Sequence, residues 1–364
     1  MVNGEFRLID LIDDMCAGKD VFFRSVRVAE DVMTYHVKSL SLDDSLEACY
    51  RFMKENKVRH APIMEVPSEG EEKPYFVGVV SERDVLRQIS PYVGKIGEEE
   101  TDSKALRQPL GQIITRNPKS VSPGTAMAEM IAVMVDNHVD MVPVLDNGDL
   151  VGIVTATDII RLFVRLDAIR KLCAKEGKKR RLVDVLSGGS EEAAAALSSV
   201  LRTVGDIMVE QAVSLEEEDR LSRAMEVMQA GTFRHVPVVN KQGKLVGIVS
   251  DRDVLRHLPF PGGQRQSETE TFRSRLFAVD PKEESLRLPL GHIMTREVVF
   301  VSPGDSFYDA VKRLHEMRVS CLPVVDEEKK LLGIVTVTDV MRTLLGAYRL
   351  TEKARSGAAV CSKA

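Results

Sequence analysis

Leu150-Val151-Gly152-Ile153-Val154-Thr155-Ala156-Thr157-Asp158 is an apolar run broken by one glycine and closed by a hydroxyl and a carboxylate. The branched residues favour a strand. Thr155, three residues before Asp158, has the spacing of a capping box, so the strand passes directly into a helix over 159–166. Just upstream, Met141-Val142-Pro143-Val144-Leu145 is a second β-prone run, joined to the first through Asp146-Asn147-Gly148-Asp149. Asn-Gly between two apolar runs is a strong hairpin signal. Before the hairpin, Met127, Met130, Ile131, Met134 and Val135 form an apolar stripe along one helix face, with core packing favoured over a methionine-lined groove. The local order is short strand, helix, strand, strand, helix.

This unit occurs four times. Met33, Pro62 and Gly78 mark the first copy, and Ile114, Pro143 and Gly152 the second. Met208, Pro237 and Gly247 mark the third, and Met294, Pro323 and Gly333 the fourth. The first anchor precedes the proline by 29 residues in every copy, and the glycine precedes an aspartate by 6. The helix stripe returns in the fourth copy at Phe307, Ala310, Val311 and Leu314.

The copies also alternate. The first and third share Arg-His before the proline, at Arg59-His60 and Arg234-His235, and Ser-acid-Arg-Asp-Val-Leu-Arg from Ser81 and Ser250. The second and fourth share Pro-Leu-Gly-x-Ile-x-Thr-Arg from Pro109 and Pro289, and Val-Ser-Pro-Gly from Val121 and Val301. Thr-x-Thr-Asp, from Thr155 and Thr336, is theirs as well. The duplicated object was therefore a pair. Two modules follow, at about 31–165 (units 31–89 and 110–165) and 204–345 (units 204–258 and 289–345). Residues 1–30 precede them, 166–203 link them and 346–364 form a tail. A unit of about 55 residues is small for independent stability, which is a reason for copies to pack in pairs.

Composition narrows the function classes. The 364 residues carry a net charge of −5, with 44% hydrophobic and 29% charged residues, as in soluble globular proteins. No apolar run reaches the roughly 20 residues of a membrane span, and the N-terminus lacks a signal peptide's pattern. The five cysteines are scattered with no CxxC pair, which points to reduced thiols and a cytoplasmic protein rather than disulfides or a zinc site. The acidic balance argues against nucleic-acid binding. No P-loop, metal cluster or nucleophile elbow is present, so the expectation is a protein without catalytic residues.

The chemistry concentrates at the helix starts. N–H groups and the dipole make a helix N-terminus a site for phosphate. A hydroxyl there donates to phosphate, and a neighbouring aspartate accepts from ribose hydroxyls. The plainer reading, that Ser81, Thr155, Ser250 and Thr336 merely cap helices, stays open. Arg59, His60, Arg234 and His235 at strand starts, with Arg83 and Arg252 inside the helix-start motif, place basic groups at both ends of one hairpin. That suits phosphate, with ion pairs to nearby acids as the alternative. Histidines of ordinary pKa would add a charge as pH falls toward 6.

With these residues in place, the four units resemble cystathionine-β-synthase (CBS) domains, and each pair resembles a Bateman module. The resemblance implies two clefts per pair, which commonly hold AMP, ADP or ATP and sometimes S-adenosylmethionine. It implies that adenine meets the backbone at Ala61, Val142, Val236 and Leu322. Ribose falls to Asp84, Asp158, Asp253 and Asp339, and phosphate to Ser81, Thr155, Ser250, Thr336 and the basic residues. The even units carry Asp140 and Ser320 where the odd ones carry arginine, so one good site per module is expected, with binding that strengthens as ligand phosphate charge rises. The implied function is a regulatory protein that passes ligand state to a protein partner. The layout is similar to the γ subunit of AMP-activated kinases. A scaffold with degenerate sites is the alternative, and closure into a disc is expected within the chain or by homodimerisation. The acidic loop 98–100, the polar stretch 259–270 and the basic run 178–181 read as solvated segments.

Overall fold

The computed structural model describes residues 28–67, 73–89, 104–164, 203–231, 233–257 and 283–361. The acidic loop, the polar stretch, the basic run and all but residue 203 of the linker lie outside the described residues, as do residues 1–27.

Each unit has the helix, two-stranded hairpin and second helix that the repeat predicts. The short leading strand, however, forms only in the second and third units and is reduced to isolated bridges in the first and fourth. The first has helix α1 (Leu46–Asn56), strands β1 (His60–Glu65) and β2 (Tyr75–Ser81), and helix α2 (Glu82–Leu86). The second has a short strand β3 (Thr115–Arg116), α3 (Met127–Asp136), β4 (Met141–Asp146), β5 (Asp149–Thr155) and helix α4 over 156–164. The third has β6 (Val209–Glu210), β7 (Leu215–Glu216), α5 (Leu221–Gly231), β8 (His235–Val239), β9 (Leu245–Ser250) and α6 (Asp251–His257). The fourth has α7 (Phe307–Glu316), β10 (Cys321–Val325), β11 (Leu331–Thr336) and α8 (Val337–Cys361). The segment expected as a tail from residue 346 is the continuation of α8 as far as Cys361, and Ala347 is buried in the core.

The expected Asn-Gly hairpin forms, with Asp146 paired to Asp149 and both Asn147 (φ 51°) and Gly148 (φ 94°) left-handed, as a type I′ turn requires. In every unit the first hairpin strand also pairs in parallel with a residue of the segment before the helix. Leu40 meets Ile63, Val121 meets Val144, Leu215 meets Val238 and Val301 meets Val324. The proline fits here because its carbonyl takes the bond: the N–H groups of Leu40, Val121 and Val301 donate to Pro62, Pro143 and Pro323.

The repeat's spacing does not reveal that the lead-in segments cross. The first anchor of each unit packs on the glycine of its partner, not on its own. Ile114 lies against Gly78, Met33 against Gly152 and Met294 against Gly247, while the segment at Val209 runs over Gly333. There the chains pair edge to edge: Gly78 with Arg116, Gly333 with Glu210, Thr34 with Ile153 and Ile248 with Thr295. A Cβ on Gly78 would stand 2.3 Å from the Thr115 carbonyl oxygen, and one on Gly333 2.5 Å from that of Val209. This close approach is why the glycine recurs.

Both helix stripes are buried: Met127, Met130, Ile131, Met134 and Val135 in α3, and Phe307, Ala310, Val311 and Leu314 in α7. They belong to one apolar core shared by the second and fourth units. α3 packs on α8, and the Phe163 ring meets Phe307 edge-on at 5.4 Å. The odd units meet through α2 and α6, where Leu86 and Leu255 are buried against each other with Tyr50 beside them. The alternation of sequence is thus an alternation of contact, and the two modules close on each other within one chain. Cys49 and Cys321 are buried free thiols, and burial, reinforced by Asp44, pushes the Cys49 thiol up to about 12. Among the described residues no helix is long and apolar enough to cross a membrane.

Candidate functional site

The helix that follows each hairpin starts with a reciprocal cap. The backbone N–H and hydroxyl of Ser81 both donate to Asp84 Oδ2, at 3.0 and 2.7 Å, and the Asp84 N–H returns to Ser81 Oγ at 3.3 Å. The same three bonds form between Thr155 and Asp158, Ser250 and Asp253, and Thr336 and Asp339. A further bond ties each helix to the residue that opens its hairpin. The N–H groups of Glu82, Ala156, Asp251 and Val337 donate to the carbonyls of Arg59, Asp140, Arg234 and Ser320 at 2.8–3.1 Å. Two of the first three helix N–H groups are therefore consumed within the chain, and the N-termini offer an anion less than the sequence alone implies.

The aspartates keep one oxygen. Oδ2 is held by the cap, and Oδ1 faces an arginine three residues on: Arg87 at 3.9 Å, Arg161, Arg256 at 3.3 Å and Arg342 at 3.4 Å. Arg161, Arg256 and Arg342 are 40–54% exposed at the side chain, whereas Arg87 is only 11% exposed. These arginines were not singled out by sequence reasoning, although the recurring Asp-x-x-Arg is visible in it. Ala61, Val142, Val236 and Leu322 are fully buried, one residue into the first hairpin strand, opposite Val80, Val154, Val249 and Val335. His60 and His235 face Ser81 and Ser250 across their hairpins.

The basic residues come together at the junction of the units, already paired. Arg83 Nε lies 2.5 Å from Asp251 Oδ2, and its Nη1 lies 3.1 Å from Asp140 Oδ2. Arg234 Nη1 donates to both oxygens of Asp140, at 2.9 and 2.7 Å, and its Nη2 to the His138 carbonyl. Arg252 Nε stands 2.9 Å from Glu82 Oε2 but is not aligned for a hydrogen bond. His235 Nε2 meets Ser320 Oγ at 2.9 Å. Arg59 is exposed and, among the described residues, forms no ion pair. Asp140, which stands where the odd units carry arginine, holds two guanidiniums.

The electrostatics follow from enclosure. Burial disfavours the Arg83 charge, yet Asp251 and Asp140 outweigh it and hold its pKa above the ordinary value. Burial likewise opposes the Asp140 charge, but Arg234 and Arg83 hold this carboxyl well below the usual range, and Arg83 and Arg252 do the same for Asp251. Arg252, lacking so close a match, is brought down to about 10 by burial and then by the neighbouring charges of Arg83 and Arg59. Burial lowers both His60 and His235 to about 4. The expectation that these imidazoles protonate as pH falls to 6 is therefore corrected: they are neutral there, because the enclosed junction disfavours a further positive charge.

A family model, the CBS domain, matches residues 28–91, 110–165, 204–259 and 290–346. Uncharacterized protein MJ1225 of Methanocaldococcus jannaschii is 26% identical over 228 residues, covering 63% of this chain and 67% of that one. Its crystal structure superposes with a TM-score of 0.58 at 20% identity, over 87% of this chain and 99% of that chain. Human 5'-AMP-activated protein kinase subunit gamma-3 is 24% identical over 340 residues, covering 90% of this chain and 61% of that protein. A homoserine O-acetyltransferase of Methanococcoides burtonii is 32% identical over 142 residues, which are 39% of this chain and 24% of that enzyme. The four matched segments cover more than half of the residues and coincide with the four units, two to a module. The chain belongs to the CBS-domain family.

Proposed function

We propose that this protein is a non-catalytic regulator that binds adenine nucleotide (AMP, ADP or ATP, with S-adenosylmethionine as a variant ligand) in its CBS-pair clefts and signals the ligand state to a protein partner. The observation that carries this reading is the state of the four aspartates. Each has one oxygen locked in the cap and the other turned to an arginine, and in three of the four that arginine is substantially exposed and displaceable. Caps alone need one carboxylate oxygen. A second oxygen in the same place in four units suits a ribose. Beside each stands a buried strand start, at Ala61, Val142, Val236 or Leu322, whose backbone edge suits adenine. Likeness over most of the chain to a 5'-AMP-activated protein kinase subunit supports a regulatory role, as does likeness to an acetyltransferase over a quarter of its length only.

The test is a thermal-shift panel of AMP, ADP, ATP, GTP and S-adenosylmethionine on protein stripped of ligand. At a hundredfold excess over Kd, adenine compounds should add about 2.7 kcal/mol and GTP much less. No shift with any adenine compound would overturn the reading. One observation favours a scaffold instead: Arg83, Arg234 and Arg252 have carboxylate partners within the chain. A scaffold would pass the panel unmoved.

A further inference from the structure

The residues that open the four hairpins, Arg59, Asp140, Arg234 and Ser320, occupy equivalent places, each with its carbonyl on the first N–H of its helix. Three of them are joined to the α2 and α6 starts or to one another by charge. Asp140 contacts both Arg83 and Arg234, Arg83 contacts Asp251, and Arg252 contacts Glu82 and feels Arg59. We infer that Asp140 is a specificity-determining residue that limits the phosphate charge this junction accepts, favouring an adenine nucleoside or monophosphate over the triphosphate. The inference rests on the adenine-nucleotide reading above.

The charge count carries it. Five guanidiniums, of Arg59, Arg83, Arg234, Arg252 and Arg256, face four carboxylates, of Asp140, Asp251, Glu82 and Asp253. One positive charge is in excess, and it is not supplemented by His60 or His235, which burial keeps neutral. Asp251 is hydrogen-bonded to Arg83 through Oδ2, while its Oδ1 is buried with no hydrogen-bond partner among the described residues. A phosphate must compete with a carboxylate for every guanidinium here except that of Arg59. Each further phosphate adds negative charge that meets the same carboxylates, of which Asp251 is fully buried, Glu82 14% exposed and Asp140 33% exposed, so that charges here are less screened than at an open surface. Asp140 is the pivot because it engages two guanidiniums at once. Ser320, its counterpart in the fourth unit, has no charge and meets His235 instead. Counting arginines in the sequence leads to the opposite trend, because the sequence does not show that they are already matched.

The experiment is calorimetric titration of the full chain, stripped of ligand and in magnesium-free buffer, with adenosine, AMP and ATP. Wild type should bind AMP more tightly than ATP. Asp140→Asn and Asp140→Ser should each improve ATP relative to AMP by about tenfold. Should both fail to fold, Glu82→Gln removes a second carboxylate of the same group and should shift the ratio the same way, and the wild-type order stands as a test by itself. A wild type that prefers ATP, or a folded Asp140 variant with an unchanged ratio, overturns the inference while leaving nucleotide binding intact. Absence of binding by all three ligands overturns the nucleotide reading, and this inference with it.

Discussion

Arg83 and Asp251 are 168 positions apart in sequence and form a 2.5 Å ion pair between the two modules. Arg252 and Glu82 repeat the contact in the opposite sense. The shared Ser-acid-Arg-Asp motif of the odd units is therefore self-complementary: the acid of each copy meets the arginine of the other. The even units carry Ala156-Thr157 and Val337-Thr338 at the same places and join through apolar packing.

Breaking this clasp should be costly. Asp251 is fully buried and Arg83 nearly so, and removing one partner of a buried pair typically costs 3–5 kcal/mol by stranding the other charge. Arg83→Ala and Asp251→Ala are each expected to lower urea-unfolding stability by about that amount, and an apolar double replacement, Arg83→Met with Asp251→Leu, to recover much of it. If the single variants lose under 1 kcal/mol, the pair is not a structural clasp.

The crossing lead-ins give a graded glycine series. Gly78→Ala and Gly333→Ala place a Cβ against a carbonyl oxygen and should cost about 1–3 kcal/mol or more. Gly247→Ala meets mainly the flexible Met294 side chain and should cost less, while Gly124→Ala and Gly304→Ala meet nothing within 4 Å. Melting temperatures in any other order would refute the packing of these segments.

Acid should weaken the fold early. His60 and His235 have folded pKa values of about 4 against an unfolded value near 6.5, so the unfolded chain binds more protons between those limits. Their contribution is complete above about pH 6.5 and is lost as pH falls toward 4, with a slope of up to about 1.4 kcal/mol per histidine per pH unit. Denaturation at pH 7.5 and 5 should show the loss, and His60→Gln with His235→Gln should flatten it. The stability from Asp140 and Asp251, whose carboxyls are held low, is present above about pH 4 and is lost only as pH falls below that. An identical slope in the double variant would assign the acid loss to other groups.

The aspartates have two separable roles. Asp84→Ala and Asp253→Ala remove a cap, costing about 1 kcal/mol of stability, and a ribose acceptor, costing about tenfold or more in affinity. Ser81→Ala removes one cap hydroxyl and keeps the Oδ1 face, so its loss should be mainly in stability. Titration beside melting curves separates them. Unchanged affinity in a folded Asp84→Ala chain would make these residues caps and nothing else.

By itself the sequence determined the unit, its number and its pairing. A glycine six residues before an aspartate, a proline at fixed distance, Asn147-Gly148 and the α3 and α7 stripes are local signals, set by backbone freedom, turn geometry and helical period. Only the tertiary structure decided which unit each lead-in serves, because Met33 reaches Gly152 across a module and nothing in the spacing marks the crossing. It alone decided, too, what the basic residues do. Arg83 and Arg234 have the look of phosphate ligands one at a time, but a charge answers to whatever lies within a few ångströms, and Asp140 and Asp251 arrive there from other units. The same enclosure took His60 and His235 out of the physiological range, since burial is a property of the assembled junction and not of the residue.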